Sequence, residues 1–141
     1  MTDRPERGGA KIRLTRKLVL VVDDDPDIRT FIRVVLEGAN YRVQGAWDGP
    51  SALQAMEQES PEVVLLDMLM PGLSGDEVLD LLDKLEGHPP VVIMTAGKRA
   101  RNSALLHHNP FYLAKPFDAA TLLATVEVAQ EGAPRDHKMD A

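Results

Sequence analysis

The chain has 141 residues, enough for one domain with a sizeable core, and its apolar share of 44% and charged share of 27% are typical of a soluble globular protein. It contains no cysteine, which excludes disulfides, thiolate chemistry and zinc–thiolate sites. The net charge of −6 argues against nucleic-acid binding by the chain as a whole, and no apolar run approaches the roughly 18 residues that span a bilayer.

Residues 1–17 form a basic N-terminal segment with six basic and two acidic side chains. The segment has no apolar core, so it does not have the pattern of a secretory signal. We interpret it as a flexible, solvated tail, with a docking arm for an acidic partner as the alternative. One folded domain is expected at residues 18–130, and a polar C-terminal tail is expected at 131–141.

Five short apolar runs are predicted to be β-strands: residues 18–22, 41–46, 62–67, 90–95 and 111–115. Four of them are nearly continuous in apolar residues, which is typical of strands buried on both faces of a parallel sheet. The second run is more mixed in polarity, and this favours a position at the edge of the sheet.

The intervening segments and the last one have the apolar spacing of helices: residues 26–37, 50–58, 74–86, 98–108 and 118–130. For the first helix, Asp25 is the predicted N-cap, Pro26 stands in the first turn, and Gly38 is the predicted C-terminal stop. The fourth segment is basic and only weakly amphipathic.

Strand and helix therefore alternate five times, which predicts an α/β fold with a doubly wound parallel sheet and helices on both faces. The flavodoxin-like strand order 2-1-3-4-5 is the simplest arrangement for five such strands. In sheets of this kind a site forms beyond the carboxyl ends of the strands, where the strand order reverses between strands 1 and 3.

Polar residues stand at four of the five predicted strand ends: Asp23, Asp24, Asp67, Thr95 and Lys115. Carboxylates that lie close together repel one another and resist ionising together, and a divalent cation relieves this repulsion. Mg²⁺ prefers such oxygen ligands. A cation, a lysine and a hydroxyl group beside a nucleophilic carboxylate are the components of phosphoryl transfer.

Four segments resemble the signature blocks of response-regulator receiver domains, the phosphoacceptor domains of two-component signalling: LVLVVDDDPDIRTFI, VVLLDMLMPGLSGDEVL, VVIMTAG and YLAKPF. They occur in the order found in that family and extend the resemblance from residue 18 to about residue 130. The resemblance implies a flavodoxin-like fold similar to that of the chemotaxis regulators.

The resemblance also implies the residues of a phosphorylation site with Mg²⁺ as its cofactor. Asp67 corresponds to the phosphoacceptor, which also contacts the metal. Asp24 corresponds to a direct metal ligand, and Asp23 to a ligand that binds the metal through water. The backbone carbonyl of Leu69 is a further expected ligand.

Four other matching positions concern the response to phosphorylation. Thr95 corresponds to the switch hydroxyl, and Lys115 to the lysine that pairs with the phosphoryl group. The peptide bond between Lys115 and Pro116 is expected to be cis. Tyr112 corresponds to an aromatic residue that turns inward on activation, and a half-buried packing residue is the alternative for it.

The implied function is Mg²⁺-dependent acceptance of a phosphoryl group on Asp67 from the phosphohistidine of a sensor histidine kinase or phosphotransfer protein. The acyl phosphate would switch the face that runs from the fourth strand to the last helix, for binding of an unidentified effector or of a second copy of the chain as a homodimer. We expect a signalling domain that promotes its own phosphorylation and slow dephosphorylation, not an enzyme with a separate substrate. We also expect a cytoplasmic location, no membrane association and no direct DNA binding.

Two other functions are open at this point. A receiver-like module could bind its partners without phosphorylation, although the complete set of acidic residues and the lysine argue against this. An aspartyl-phosphate phosphatase needs a second acid two positions after the nucleophile, where this chain has Leu69.

The chain departs from the resembled family at one place. Thr95 and Lys115 are closer in sequence than usual, and HHNP replaces the usual Gly-Ala pair. This leaves open the form of the face that runs from the fourth strand to the last helix.

Overall fold

The computed structural model describes residues 16–70, 75–84, 87–97, 102 and 109–131. The strands and helices with described bounds follow in this order: β1 (Leu18–Val22), α1 (Pro26–Gly38), β2 (Arg42–Ala46), α2 (Gly49–Gln58), β3 (Val63–Asp67), α3 (Gly75–Asp83), β4 (Val91–Ala96), β5 (Tyr112–Lys115) and α4 (Ala119–Glu131). None of the described helices is long and apolar enough to cross a membrane.

Some predicted segments lie outside the described residues. The predicted helix at 98–108 is among them, except for Asn102, which is helical and exposed. Residues 1–15 and 132–141, which make up most of the two predicted tails, are also outside the described part of the chain.

The sheet has the predicted architecture. All four pairings between neighbouring strands are parallel, and the strand order is β2-β1-β3-β4-β5. Alternate residues of each strand point to opposite faces, so each buried strand contributes to two apolar layers. Leu20 of β1 packs in a cluster with Leu82 of α3, whereas Val21 packs on the other side with Ile32 of α1 and Leu122 of α4.

Helix α1 begins and ends as predicted, but the residue that makes the turn after it was not foreseen. The side chain of Asp25 accepts the N–H of Asp27 at 2.9 Å, and Pro26 is the first helical residue. Gly38, the predicted stop, is the last helical residue, and Asn40 in the following turn has a φ of 72°. Asparagine enters this left-handed region more readily than most residues, so the chain reverses at Asn40 instead of at the glycine.

The two edge strands differ in how well the sequence predicts them. Strand β2 is partly exposed over four of its five residues, in agreement with its mixed composition. Strand β5 was expected to be buried on both faces, but within it only Leu113 is buried. This expectation was wrong because β5 lies at the other edge of the sheet, where it pairs with β4 alone.

Candidate functional site

Two acidic residues meet where the strand order reverses. Val22 of β1 pairs with Leu66 of β3, so the residues that follow them, Asp23 and Asp67, lie side by side at the carboxyl edge of the sheet. Asp24 is the next residue after Asp23. One carboxylate oxygen from each of Asp23, Asp24 and Asp67 lies within 4.8 Å of the others.

The three carboxylates differ in their exposure to solvent. Asp23 is fully buried at 0% exposure and Asp67 is 3% exposed, whereas Asp24 is exposed. Buried carboxylates need compensating partners, because removal from water disfavours the charged form. The site must therefore supply those partners itself.

Lys115 supplies the compensating positive charge. It ends β5, and its Nζ lies 2.7 Å from Asp23 Oδ2 and 3.6 Å from Asp67 Oδ2. The sequence predicted that Lys115 reaches this site, but not that Asp23 is its nearer partner. The Lys115–Pro116 peptide bond is cis, the form that the sequence predicts.

Backbone groups hold the other oxygens of the two buried carboxylates. The N–H of Asp25 donates to Asp23 Oδ1 at 2.9 Å, and the N–H of Leu69 donates to Asp67 Oδ1 at 3.1 Å. Both bonds reach two residues back along the chain, a pattern that Asp residues form readily at turns. The loops after β1 and β3 thus fix the carboxylates that they follow.

The electrostatics of the site follow from burial and from these partners. Burial raises the pKa of Asp67 to about 6, the N–H of Leu69 opposes the increase, and the nearby charge of Asp23 adds to it. Burial acts to lower the pKa of Lys115, but the hydrogen bond to Asp23 and the charges of Asp23 and Asp67 raise it above its ordinary value. Lys115 therefore stays charged at neutral pH, whereas burial makes the ionised form of Asp67 unfavourable.

The donor set suits a hard divalent cation. Its side-chain ligands are carboxylate oxygens only, which is the chemistry that Mg²⁺ and Ca²⁺ prefer and that thiolate-seeking metals do not. Three carboxylates with one ammonium group leave an excess of two negative charges when all are ionised. A divalent cation would balance this excess and ease the ionisation of Asp67.

The other residues predicted for the site lie at different positions around it. Thr95 is 2% exposed in β4, one residue beyond Met94, which pairs with Asp67. The side chain of Leu69 is exposed, although its N–H contacts Asp67. Tyr112 is exposed at the start of β5, three residues before Lys115, so the described site does not include it.

Arg29 also lies at this site, although the sequence analysis did not predict it. Its Nη1 donates to the backbone carbonyl of Asp23 at 2.7 Å. An arginine on the polar side of an amphipathic helix looks like an ordinary solvated residue. The available signal was Gly45 in the second strand, since an isolated glycine in a strand often marks a close approach, here by the Arg29 side chain.

Comparison with known sequences agrees with this geometry. The chain matches the family described as the response regulator receiver domain over residues 19–127. It is 34% identical over 113 residues to the DNA-binding response regulator MtrA of Mycolicibacterium smegmatis, covering 79% of this chain and 49% of MtrA. It is 38% identical over 112 residues to the sensor histidine kinase TmoS of Ectopseudomonas mendocina, covering 77% of this chain and 11% of that kinase. The chain thus spans about half the length of MtrA.

Solved structures of single domains match over nearly their whole length. The chemotaxis protein CheY4 of Vibrio cholerae aligns with a TM-score of 0.72 at 27% identity, covering 82% of this chain and 99% of CheY4. The receiver domain of NtrX from Brucella abortus aligns with a TM-score of 0.75 at 32% identity, also covering 82% of this chain and 99% of that domain.

Proposed function

The chain belongs to the response regulator receiver domain family, and on that premise we propose that Asp67 accepts a phosphoryl group from the phosphohistidine of a sensor histidine kinase or phosphotransfer protein. One observation supports this assignment above the others. A buried carboxylate with a raised pKa stands at the point where the strand order reverses, with Lys115 3.6 Å away and two more carboxylates beside it.

The proposed transfer is a single displacement at phosphorus. A carboxylate oxygen of Asp67 forms the new O–P bond while the N–P bond of the phosphohistidine breaks, and the electron pair of that bond leaves with the imidazole. Lys115 is close enough to Asp67 to pair with the transferred group once it is bound. The N–H of Leu69 holds Oδ1 of Asp67, so Oδ2, on the side of Lys115, is the freer oxygen for attack.

In this proposal Asp24 and Asp67 would hold Mg²⁺ directly, Asp23 would hold it through water, and the carbonyl of Leu69 would be a further ligand. The chemistry that Mg²⁺ would supply there is neutralisation of charge on the phosphoryl oxygens. Asp23 already contacts Lys115, which is consistent with a water-mediated role instead of a direct one.

The output of the domain is proposed to be a change in the face formed by β4, β5 and α4. Thr95 would follow the phosphoryl group, and Tyr112, now exposed, would turn inward beside it. An effector, or a second copy of the phosphorylated chain, would bind the altered face. We propose that the domain acts in the cytoplasm, slowly dephosphorylates itself and makes no direct contact with DNA, although MtrA, twice as long, is a DNA-binding regulator by name.

Intact-mass measurement with acetyl phosphate and Mg²⁺ tests the assignment. The wild-type protein and the control Asp27→Asn, which changes an exposed acid on α1, should each gain one phosphoryl group, and Asp67→Asn should gain none. A label on Asp67→Asn that maps to Thr95 would refute Asp67 as the acceptor. A wild-type protein that is never labelled would point instead to a module that binds without phosphorylation.

A further inference from the structure

The side chain of Arg29 holds the peptide group that joins two acidic residues of the site. Its Nη1 donates to the carbonyl oxygen of Asp23 at 2.7 Å, and this carbonyl belongs to the peptide between Asp23 and Asp24. A charged donor at this distance makes a stronger hydrogen bond than a neutral one. The orientation of that peptide plane therefore depends directly on Arg29.

Asp23 and Asp24 depend on this contact to different degrees. Asp23 has three further restraints: its N–H donates to the Ala46 carbonyl at 3.0 Å, and its carboxylate accepts from Asp25 and Lys115. Asp24 is exposed, and no hydrogen bond to its side chain occurs among the described residues. The position of the Asp24 carboxylate is thus set mainly by its backbone, and Arg29 fixes the peptide that precedes it.

Gly45 in the edge strand β2 leaves the space through which Arg29 reaches the site. A Cβ atom at position 45 would lie 3.3 Å from Cδ and 3.6 Å from Nε of Arg29, tighter than an ordinary contact at the nearer atom. Arg33, one helical turn later, lies along the same strand but has a different partner, the carbonyl of Val43 at 2.9 Å. The two arginines are chemically matched, and only Arg29 contacts the acidic loop.

We infer that Arg29 is a positioning residue for the metal site, which fixes the peptide between Asp23 and Asp24 and so preorganises their carboxylates for Mg²⁺. The inference rests on the proposed function and adds a residue to it. Groups that hydrogen-bond to metal ligands without touching the metal contribute strongly to metal affinity. They hold the ligands in place before binding, so less conformational entropy is lost when the metal binds.

The direction of the change in Mg²⁺ affinity on removal of Arg29 distinguishes a positioning role from a purely electrostatic one. Arg29 is a cation near three carboxylates, so a purely electrostatic role would make its removal increase the affinity for Mg²⁺. A positioning role predicts the opposite, a loss of affinity. Arg33→Ala removes the same charge from the same helix without touching the Asp23 carbonyl, and it is the matched control.

Calorimetric titration of the full chain with Mg²⁺, with the unfolding free energy of each variant measured in EDTA, tests the inference. Arg29→Ala should weaken Mg²⁺ binding about threefold to tenfold, which corresponds to the net contribution of one hydrogen bond. Arg33→Ala should lose comparable stability and keep an affinity close to that of the wild type. Gly45→Val, which retains Arg29 but obstructs its path, should weaken binding without a matching loss of stability.

An unchanged or increased Mg²⁺ affinity in Arg29→Ala would overturn the inference, as would an equal loss in Arg33→Ala or wild-type affinity in Gly45→Val. These outcomes leave the proposed function intact if the wild-type protein binds Mg²⁺ and is phosphorylated on Asp67. A wild-type protein that binds no Mg²⁺ would overturn the proposed function and this inference together.

Discussion

Among single residues, it is the ionised form of Asp67 through which the site lowers the stability of the fold. Its pKa of about 6 lies above the ordinary value of about 3.9 for an aspartate, so the folded state binds this proton more tightly than the unfolded state. Ionisation therefore opposes folding in the absence of metal. The contribution of Asp67 to stability is retained at low pH and is lost as the pH rises from about 4 through about 6.

We expect Asp67→Asn to be more stable than the wild type in EDTA at pH 7, by roughly 1–3 kcal/mol, because the variant has no charge to bury. The difference between the two proteins should shrink as the pH falls below 6 and be small at pH 4. Urea denaturation at a series of pH values measures it. If the unfolding free energies of the two proteins changed in parallel with pH, ionisation of Asp67 would not oppose folding.

Removal of the Asp24 carboxylate is expected to change Mg²⁺ affinity and metal-free stability in opposite directions. It is exposed and its charge adds to the increase in the pKa of Asp67, so Asp24→Asn should stabilise the metal-free fold. The same change should weaken Mg²⁺ binding about tenfold or more, roughly 1.4 kcal/mol, because few protein ligands are available. Calorimetric titration checks the affinity, with Asp27→Asn as a control for the change in charge; equal affinities in all three proteins would exclude Asp24 as a ligand.

Among the secondary-structure elements, the start of β5 is bonded by a side chain: Asn109 donates to backbone carbonyls that backbone N–H groups bond elsewhere in the sheet. Its Nδ2 donates to the carbonyls of Val91 and Phe111, each at 2.8 Å, beside the first rung of the β4–β5 pairing. The next bond along runs from the Ile93 N–H to the Phe111 carbonyl. The side chain of Asn109 thus extends the β4–β5 pairing beyond its first backbone bond, at the N-terminal end of β5.

Removal of this side chain should loosen the start of β5. We expect Asn109→Ala to lower the unfolding free energy by about 1–2 kcal/mol, and Asn109→Asp to lower it at least as much, because a carboxylate opposes two carbonyl oxygens and cannot donate to them. Amide hydrogen exchange should accelerate at Ile93 and stay unchanged at Val21 in the central strand. Equal protection at Ile93 in wild type and variants would rule out this role.

The sequence predicted elements better where one local rule decided the outcome. Continuous apolar runs located the three central strands, and acidic residues directly after β1 and at the end of β3 located the site, because parallel strands bring their carboxyl ends to one edge. The left-handed turn at Asn40 after α1 and the exposure of β5 were missed. The first depends on which of two permissive residues adopts a positive φ. The second was misjudged because burial was inferred from the apolar run alone, although the predicted strand order already placed β5 at an edge.

Contacts between distant side chains were beyond the reach of the sequence for a related reason. Asp23 and Lys115 are 92 positions apart, and their pairing depends on how far the lysine side chain extends from the end of β5 toward β1. The contact of Arg29 with Asp23 depends on the path of a long side chain that passes close to Gly45. Local sequence patterns indicate helices and strands, but they do not indicate which polar side chains contact one another in the fold.

At the scale of the whole molecule, two apolar layers share one sheet. The layer that contains Leu20 and Leu82 and the layer that contains Val21 and Ile32 are joined through the backbone of the same strands. Loss of packing on one face therefore removes support from strands that the other face also needs. We therefore expect the described residues to unfold as one cooperative unit.

The contact between Arg33 and the Val43 carbonyl has a consequence for the behaviour of the protein in concentrated solution. Residues 42 and 46 bond to β1, so the intervening Val43 presents its backbone groups at the outer edge of the sheet. Open strand edges recruit strands from other molecules, and a charged side chain over the edge prevents it. Arg33→Ala should therefore aggregate faster than Arg33→Lys under conditions where both stay folded, as followed by light scattering; equal rates would mean that the edge is protected in another way.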